Sequence, residues 1–263
     1  MNFSRAKSYL IVIFVIVNLF LIYHLVSMTK SDTISAQTVE NTISILSKKE
    51  IKVNKELIKT TPDSLFYLNL ENPLADKEAF INSLRGKVNI TKEGFEFVPE
   101  NKKFEFKYLL PSYDAARQAL SHLKDCGFSG KYLECIGTLD MGKGVYKASF
   151  IQSFEGYDIY NTSIDIFYKE GEVLSASGIY YNIDSFSAPE ESIRTQPEIL
   201  IRFSGDIKEK CIVKSIESGY FTQPYENEYS MISALPCYKI TTDNGNKYYY
   251  DAVLSTLLKI DEF

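Results

Sequence analysis

From Ser8 to Met28 the chain reads SYLIVIFVIVNLFLIYHLVSM, 21 residues with no formal charge apart from a possible one on His24. A bilayer core about 30 Å thick is crossed by roughly 20 helical residues. Arg5 and Lys7 precede the stretch, and no acidic residue lies near them. The pattern predicts a transmembrane helix over 8–28, a cytoplasmic N-terminus over 1–7 and an extracytoplasmic remainder, so a single-pass protein of the cell membrane in contact with membrane lipid. A cleavable signal peptide is the competing reading. Its apolar core runs 7 to 15 residues before a small-x-small site, whereas Tyr9 to Tyr23 is apolar except for Asn18 and no Ala-x-Ala follows. An anchor is therefore expected.

Beyond the anchor the periodicity changes repeatedly. Val39, Ile43 and Leu46 fall at helical spacing and predict a helix over about 35–48. Short strands are expected at 51–53, 65–70, 88–98 and 104–109, with a helix capped by Asp76 and stopped by Gly86 between the second and third. These form a first α+β unit, 31–110. Ser112 then caps a helix striped by Ala116, Leu120 and Leu123. Strict alternation follows through Tyr146, Ala148 and Phe150, then Ile164, Ile166 and Tyr168, broken by Glu155-Gly156 and Glu170-Gly171. That is an antiparallel meander with one wet face, giving a second unit, 111–187. In the third unit, 188–263, both Ser187-x-x-Glu190 and Thr195-x-x-Glu198 fit a capping box, and Pro197 favours the latter. Asp243-Asn244-Gly245-Asn246 predicts a hairpin with a type I′ turn. The fold class expected is α+β: an N-terminal transmembrane helix followed by helix-plus-antiparallel-sheet modules.

Composition narrows the function. The formal charge of −5 becomes −7 once the two cytoplasmic cations are set aside. Such a surface is repelled by nucleic acid and by anionic wall polymers, so neither is expected as a ligand. The 19 Tyr and 17 Phe, with no Trp, suit pleated and half-buried surfaces. Cys126, Cys135, Cys211 and Cys237 contain no C-x-x-C pair, and only two histidines accompany them, so no metal site is expected. Outside the membrane Cys126 and Cys135 would close the shorter disulfide loop; the alternative is four separate, mostly buried thiols.

No catalytic motif stands out. His24 is read as interfacial and His122 as a solvated surface residue on the polar side of its helix. Gly142-Lys143-Gly144 lacks the upstream glycine and following Ser or Thr of a phosphate loop and reads as a turn. No catalytic residue and no cofactor are expected. Two features suggest interaction. Asn18 lies mid-helix, where an amide in hydrocarbon bonds either a partner helix or its own backbone. Tyr248-Tyr249-Tyr250 on a two-sided strand is expected to expose Tyr249 or its neighbours.

The basic N-terminus (residues 2–7) followed by an apolar helix with Asn18-Leu19-Phe20-Leu21 at its centre resembles the start of YycI proteins of Gram-positive bacteria. The helix-plus-meander pattern resembles the YycH/YycI-type ectodomain. Leu235 to Ile240, with Asn244-Gly245 and Tyr248 to Ala252, is similar to the strand ending of PepSY-like modules. The resemblance implies a non-enzymatic, membrane-anchored regulator. With a YycH-like protein, it would bind the sensor histidine kinase of a two-component system controlling cell-wall metabolism, through the transmembrane helix and the extracytoplasmic domain. The alternative is a PepSY-like extracytoplasmic module that inhibits or presents a secreted hydrolase.

Overall fold

The computed structural model describes residues 13–22, 34–61, 63–91, 94–189, 192–222 and 230–262. Its helices are α1 (13–22), α2 (Ala36–Lys48), α3 (Lys77–Ser83), α4 (Tyr113–Asp125) and α5 (Gln196–Asp206). The strands of the first half are β1 (Ile51–Lys52), β2 (Tyr67–Glu71), β3 (Gly86–Thr91), β4 (Gly94–Pro99), β5 (Leu133–Gly142), β6 (Val145–Phe154), β7 (Tyr157–Lys169) and β8 (Glu172–Ile179). They are followed by β9 (Asn182–Ser187), β10 (Cys211–Thr222), β11 (Met231–Thr242), β12 (Lys247–Asp251) and β13 (Leu257–Asp261).

The helices begin where short polar side chains satisfy the first backbone donors. Ser35 Oγ accepts from Thr38 N at 3.1 Å, and Ser112 Oγ from Ala115 N at 3.1 Å. Glu198 reaches back to Thr195 N at 2.7 Å to close the capping box of α5. The Lys143-Gly144 and Glu155-Gly156 hairpins have positive φ at both residues, as a type I′ turn requires. At Asp243 to Asn246 only Gly245 has positive φ. That hairpin is therefore not the expected type I′ turn: Gly245 N donates to Thr242 O at 3.0 Å and a left-handed residue completes a longer loop.

Two meanders share one plan. α4 is followed by β5–β6–β7–β8, and α5 by β10–β11–β12–β13, each strand antiparallel to the next. They do not stay separate. Asp158 to Tyr160 of β7 pairs in parallel with Gly219 to Phe221 of β10. β2 is inserted between β11 and β9, and β1 adds in parallel to β10. Among the described residues the result is a mixed, 13-stranded sheet with five α-helices. The expected architecture, a transmembrane helix joined to purely antiparallel modules, is corrected on both counts. Parallel pairings weld the modules into one sheet, and the described part of α1, residues 13–22, spans about 15 Å at 1.5 Å per residue. Among the described residues no helix is long and apolar enough to cross a membrane. The rest of the expected span, 8–12 and 23–28, lies outside the described residues.

Three cores line one face of the sheet. Beneath α3 and α4 lie Phe95, Phe97, Phe150, Ile166 and Tyr168; beneath α2 and α5 lie Val213, Tyr238, Ile240 and Tyr250. Leu68, Leu70, Ile159, Tyr220 and Ala234 bridge the two. The opposite face carries a fourth cluster, Tyr160, Phe221, Cys237 and Tyr249, flanked by Ile151 and Leu258. The expected exposure of the tyrosine triplet is thereby overturned. Tyr248 and Tyr250 pack under α5, while Tyr249 is covered from the other side by Tyr160 and Phe221 at ring distances of 5.2 and 5.4 Å.

Candidate functional site

The segment 100–112 between β4 and α4 shapes the cavities at one end of the first meander. Its alternation, Phe104, Phe106 and Tyr108, suggested a strand, but apart from a single bridge at Lys103 it runs as a strap. The rings pack inward instead of pairing: Phe106 lies 5.3 Å from Tyr168, and Phe104 lies 4.9 Å from His122. Backbone bonds from Val173 N to Lys102 O and from Phe104 N to Gly171 O, each 2.8 Å, tie the strap to β8 and its turn.

His122 is consequently not the solvated residue that its helix position suggested. It is buried, and its Nε2 lies 2.7 Å from Asn101 O. A carbonyl only accepts, so Nε2 carries the proton. Arg85, Glu100, Asn101, Asp125 and Cys126 surround it in a cavity of about 580 Å³. Burial pushes the Cys126 thiol up, with Arg85 pulling it partly back and Asp125 adding to the rise. A nucleophilic thiolate needs the opposite shift. Among the described residues the His122 ring and the Cys126 thiol share no hydrogen bond, so this cavity holds a packing latch for the strap. The one-turn spacing of His122 and Cys126 beside Gly127 was the signal in the sequence that these side chains share a wall.

Cys126 and Cys135 do not form the disulfide considered above; all four thiols are free. Cys135 Sγ donates to Gly137 O at 3.6 Å within β5. Burial raises the pKa of Cys135, Cys211 and Cys237 as well, the last furthest. Among the described residues no group of three or more His, Cys, Asp or Glu is placed to hold a metal ion. Asn18 sits in α1, where its Nδ2 donates to Phe14 O at 2.8 Å. Of its two possible partners, the side-chain amide thus engages its own helix.

A second cavity, about 680 Å³, opens where the strap meets the β5–β6 and β7–β8 turns. Phe106, Tyr108, Leu110 and Tyr146 give it aromatic and aliphatic walls, and Glu105, Lys107 and Glu170 give it a polar rim. Leu109 beside it is 90% exposed. Nothing in the linear pattern marked this groove, because the strap and two separate turns build it.

No protein-family model matches the sequence, and no curated protein does. Among solved structures, the chain is similar to an uncharacterized protein from Eubacterium rectale, at 8% identity and a TM-score of 0.47 over 84% of this chain and 99% of that one.

Proposed function

We propose that the chain is a non-enzymatic regulator that acts by association at a membrane face. Its proposed partners are a sensor histidine kinase of a two-component system controlling cell-wall metabolism and a YycH-like protein, with the sheet domain on the extracytoplasmic side. The observation that carries this reading is α1. Its nine apolar side chains are 48–67% exposed around the whole helix, and its one amide is turned back on its own backbone. A helix apolar on all sides is at home against lipid or other apolar helices, not in water. In-membrane cross-linking tests the reading, comparing the native protein with one whose residues 13–22 are replaced by an unrelated apolar sequence. A histidine kinase captured only by the native protein is the expected result. Capture of the same partners by both versions would contradict it.

A second reading, a PepSY-like module that inhibits or presents a secreted hydrolase, draws support from the repeated helix-plus-four-strand plan of α4–β8 and α5–β13. It places the binding surface on the sheet, and equal capture by both versions would favour it.

A further inference from the structure

We infer that the lysine-rich edge formed by β1 and the start of β10 settles on anionic lipid headgroups. The inference rests on the proposed placement of α1 against a membrane. Residues 48–59 and 208–214 carry eight lysines against Glu50, Glu56 and Glu209, while the whole chain has 29 basic and 34 acidic groups. An excess of five positive charges thus sits in two short segments, and the remaining 21 basic and 31 acidic groups leave the rest of the chain ten negative. The fold brings the two segments together. Ile51 and Lys52 of β1 pair in parallel with Cys211 and Ile212 of β10, and Lys210 Nζ lies 2.6 Å from Glu50 Oε1. All eight lysines are exposed, and among the described residues Lys48, Lys52, Lys208 and Lys214 make no ion pair. The carboxylates along the border are turned to partners within the fold: Glu40 to Lys55 at 3.0 Å, Asp63 to Lys59 at 2.9 Å, Asp206 to Arg202 at 3.3 Å, and Asp243 to Ile212 N at 2.9 Å. Lysine commonly guards an exposed strand edge, but β1 has two residues and needs no guard of this size.

The path of the chain selects the occupant. Ile34 N donates to Thr60 O at 2.8 Å, so the chain enters the sheet domain beside Lys59. From there α2, 13 residues, carries it about 20 Å to Lys48. Residues 23–33 separate α1 from Ile34, and a linker of that length spans at most about 40 Å. A membrane that holds α1 is therefore always within reach of the patch. Screening limits charge interactions to about 8 Å at physiological salt. At that range the local excess, not the net charge of the chain, decides whether an anionic surface attracts. The acidic remainder is repelled by the same surface, which sets the side that turns toward it. A cluster of roughly four to eight lysines beside a membrane-bound helix is the electrostatic match for anionic headgroups, with each ammonium donating to phosphate oxygens. The exposed pairs Lys55–Glu40 and Lys210–Glu50 hold too weakly to compete.

Lysine acylation of the full-length protein in lipid nanodiscs, read site by site by mass spectrometry, tests this. One set of discs is phosphatidylcholine; the other mixes it equally with phosphatidylglycerol. In the mixed discs Lys48, Lys52 and Lys214 should react about fivefold more slowly, whereas Lys102 and Lys103 in the strap should react at one rate in both. The slowing should vanish in about 1 M salt, where the Debye length falls to about 3 Å. Lys48→Gln, Lys52→Gln and Lys214→Gln together remove no ion pair from the fold and should return Lys55 and Lys59 to their phosphatidylcholine rates. A protein retained by neither disc would overturn the membrane placement of α1 and this inference with it. A protein retained by both would overturn this inference alone if no lysine of the patch slows, if Lys102 and Lys103 slow equally, or if the slowing survives salt.

Discussion

The two meanders have the same order of elements but opposite exposures. In the α5–β13 half the sheet is closed on both faces: α2 and α5 cover one, and Tyr160, Phe221 and Tyr249 pack over the other. In the α4–β8 half only the helix side is closed. The far side presents Lys147, Ser149, Asp165 and Ser177, partly exposed, with Lys147 Nζ 2.9 Å from Asp165 Oδ2. One plan thus serves as a sealed structural body in one copy and as an open surface with an apolar edge in the other. The difference arises where the halves join. Beyond the β7–β10 pairing, the bulged residues 160–163 of β7 fold Tyr160 over the second meander, where Lys239 caps its ring at 4.8 Å.

The largest effect is expected from breaking the sealed half. Phe203 is fully buried and meets Tyr248 and Tyr250 edge-on at 5.3 and 6.3 Å. Phe203→Ala should cost about 3–5 kcal/mol in denaturant unfolding. Nearly as large, Gln152→Ala attacks the junction. Its side chain bonds Tyr181 N and Tyr181 O at 2.8 Å and Lys131 O at 3.2 Å, and is wholly buried. Removing it strands those backbone groups, at about 3 kcal/mol. Gly219→Ala tests the parallel joint itself: an added Cβ would sit 2.6 Å from Asp158 O and 2.7 Å from the Tyr160 ring. A loss of about 1–3 kcal/mol is expected, with separate unfolding of the two halves as the sign that the joint has failed.

Much of this was readable along the chain, for a reason that particular residues make clear. Ser35 and Ser112 accept from backbone donors three residues on, Glu198 reaches back three residues to Thr195 N, and Glu155-Gly156 turns the chain within two residues. Local chemistry of that range leaves a local signature. His122 and the Tyr248–Tyr250 triplet were misread because their partners lie far off in sequence: Phe104 for the first, Tyr160 and Phe203 for the second. The strap fails to pair although Phe104 and Phe106 alternate, since alternation reports which side is buried and not whether a neighbouring strand exists. The apolar run at 8–28 predicted an environment, and the described residues cover only 13–22 of it. The groove, made by the strap and two turns far apart in sequence, had no linear trace.

The smallest expected effects are electrostatic and have opposite signs. Burial alone would raise Glu217, but hydrogen bonds from Lys239 at 2.5 Å and Ser215 at 2.7 Å outweigh it and hold the carboxyl below its usual value of 4.5. Its contribution to stability is present above that value and is lost as pH falls through the lowered one. Asp158, raised above 3.8 chiefly by burial, penalises the folded state at neutral pH. Glu217→Gln should therefore destabilise at pH 7, by a margin that closes in acid, whereas Asp158→Asn should stabilise slightly at pH 7. Urea titrations at pH 7 and at about pH 3.5 separate the two.

The contrast between a sealed and an open half is tested most directly by amide hydrogen exchange on the intact protein, read residue by residue. Tyr248, Tyr249 and Tyr250 of β12 lie between β11 and β13 and should be protected throughout. β5, paired only with β6, should alternate between protected amides and amides that exchange as fast as a loop. Protection along β5 as continuous as that of β12 would mean that its edge is already covered, and the account of an open half would be wrong.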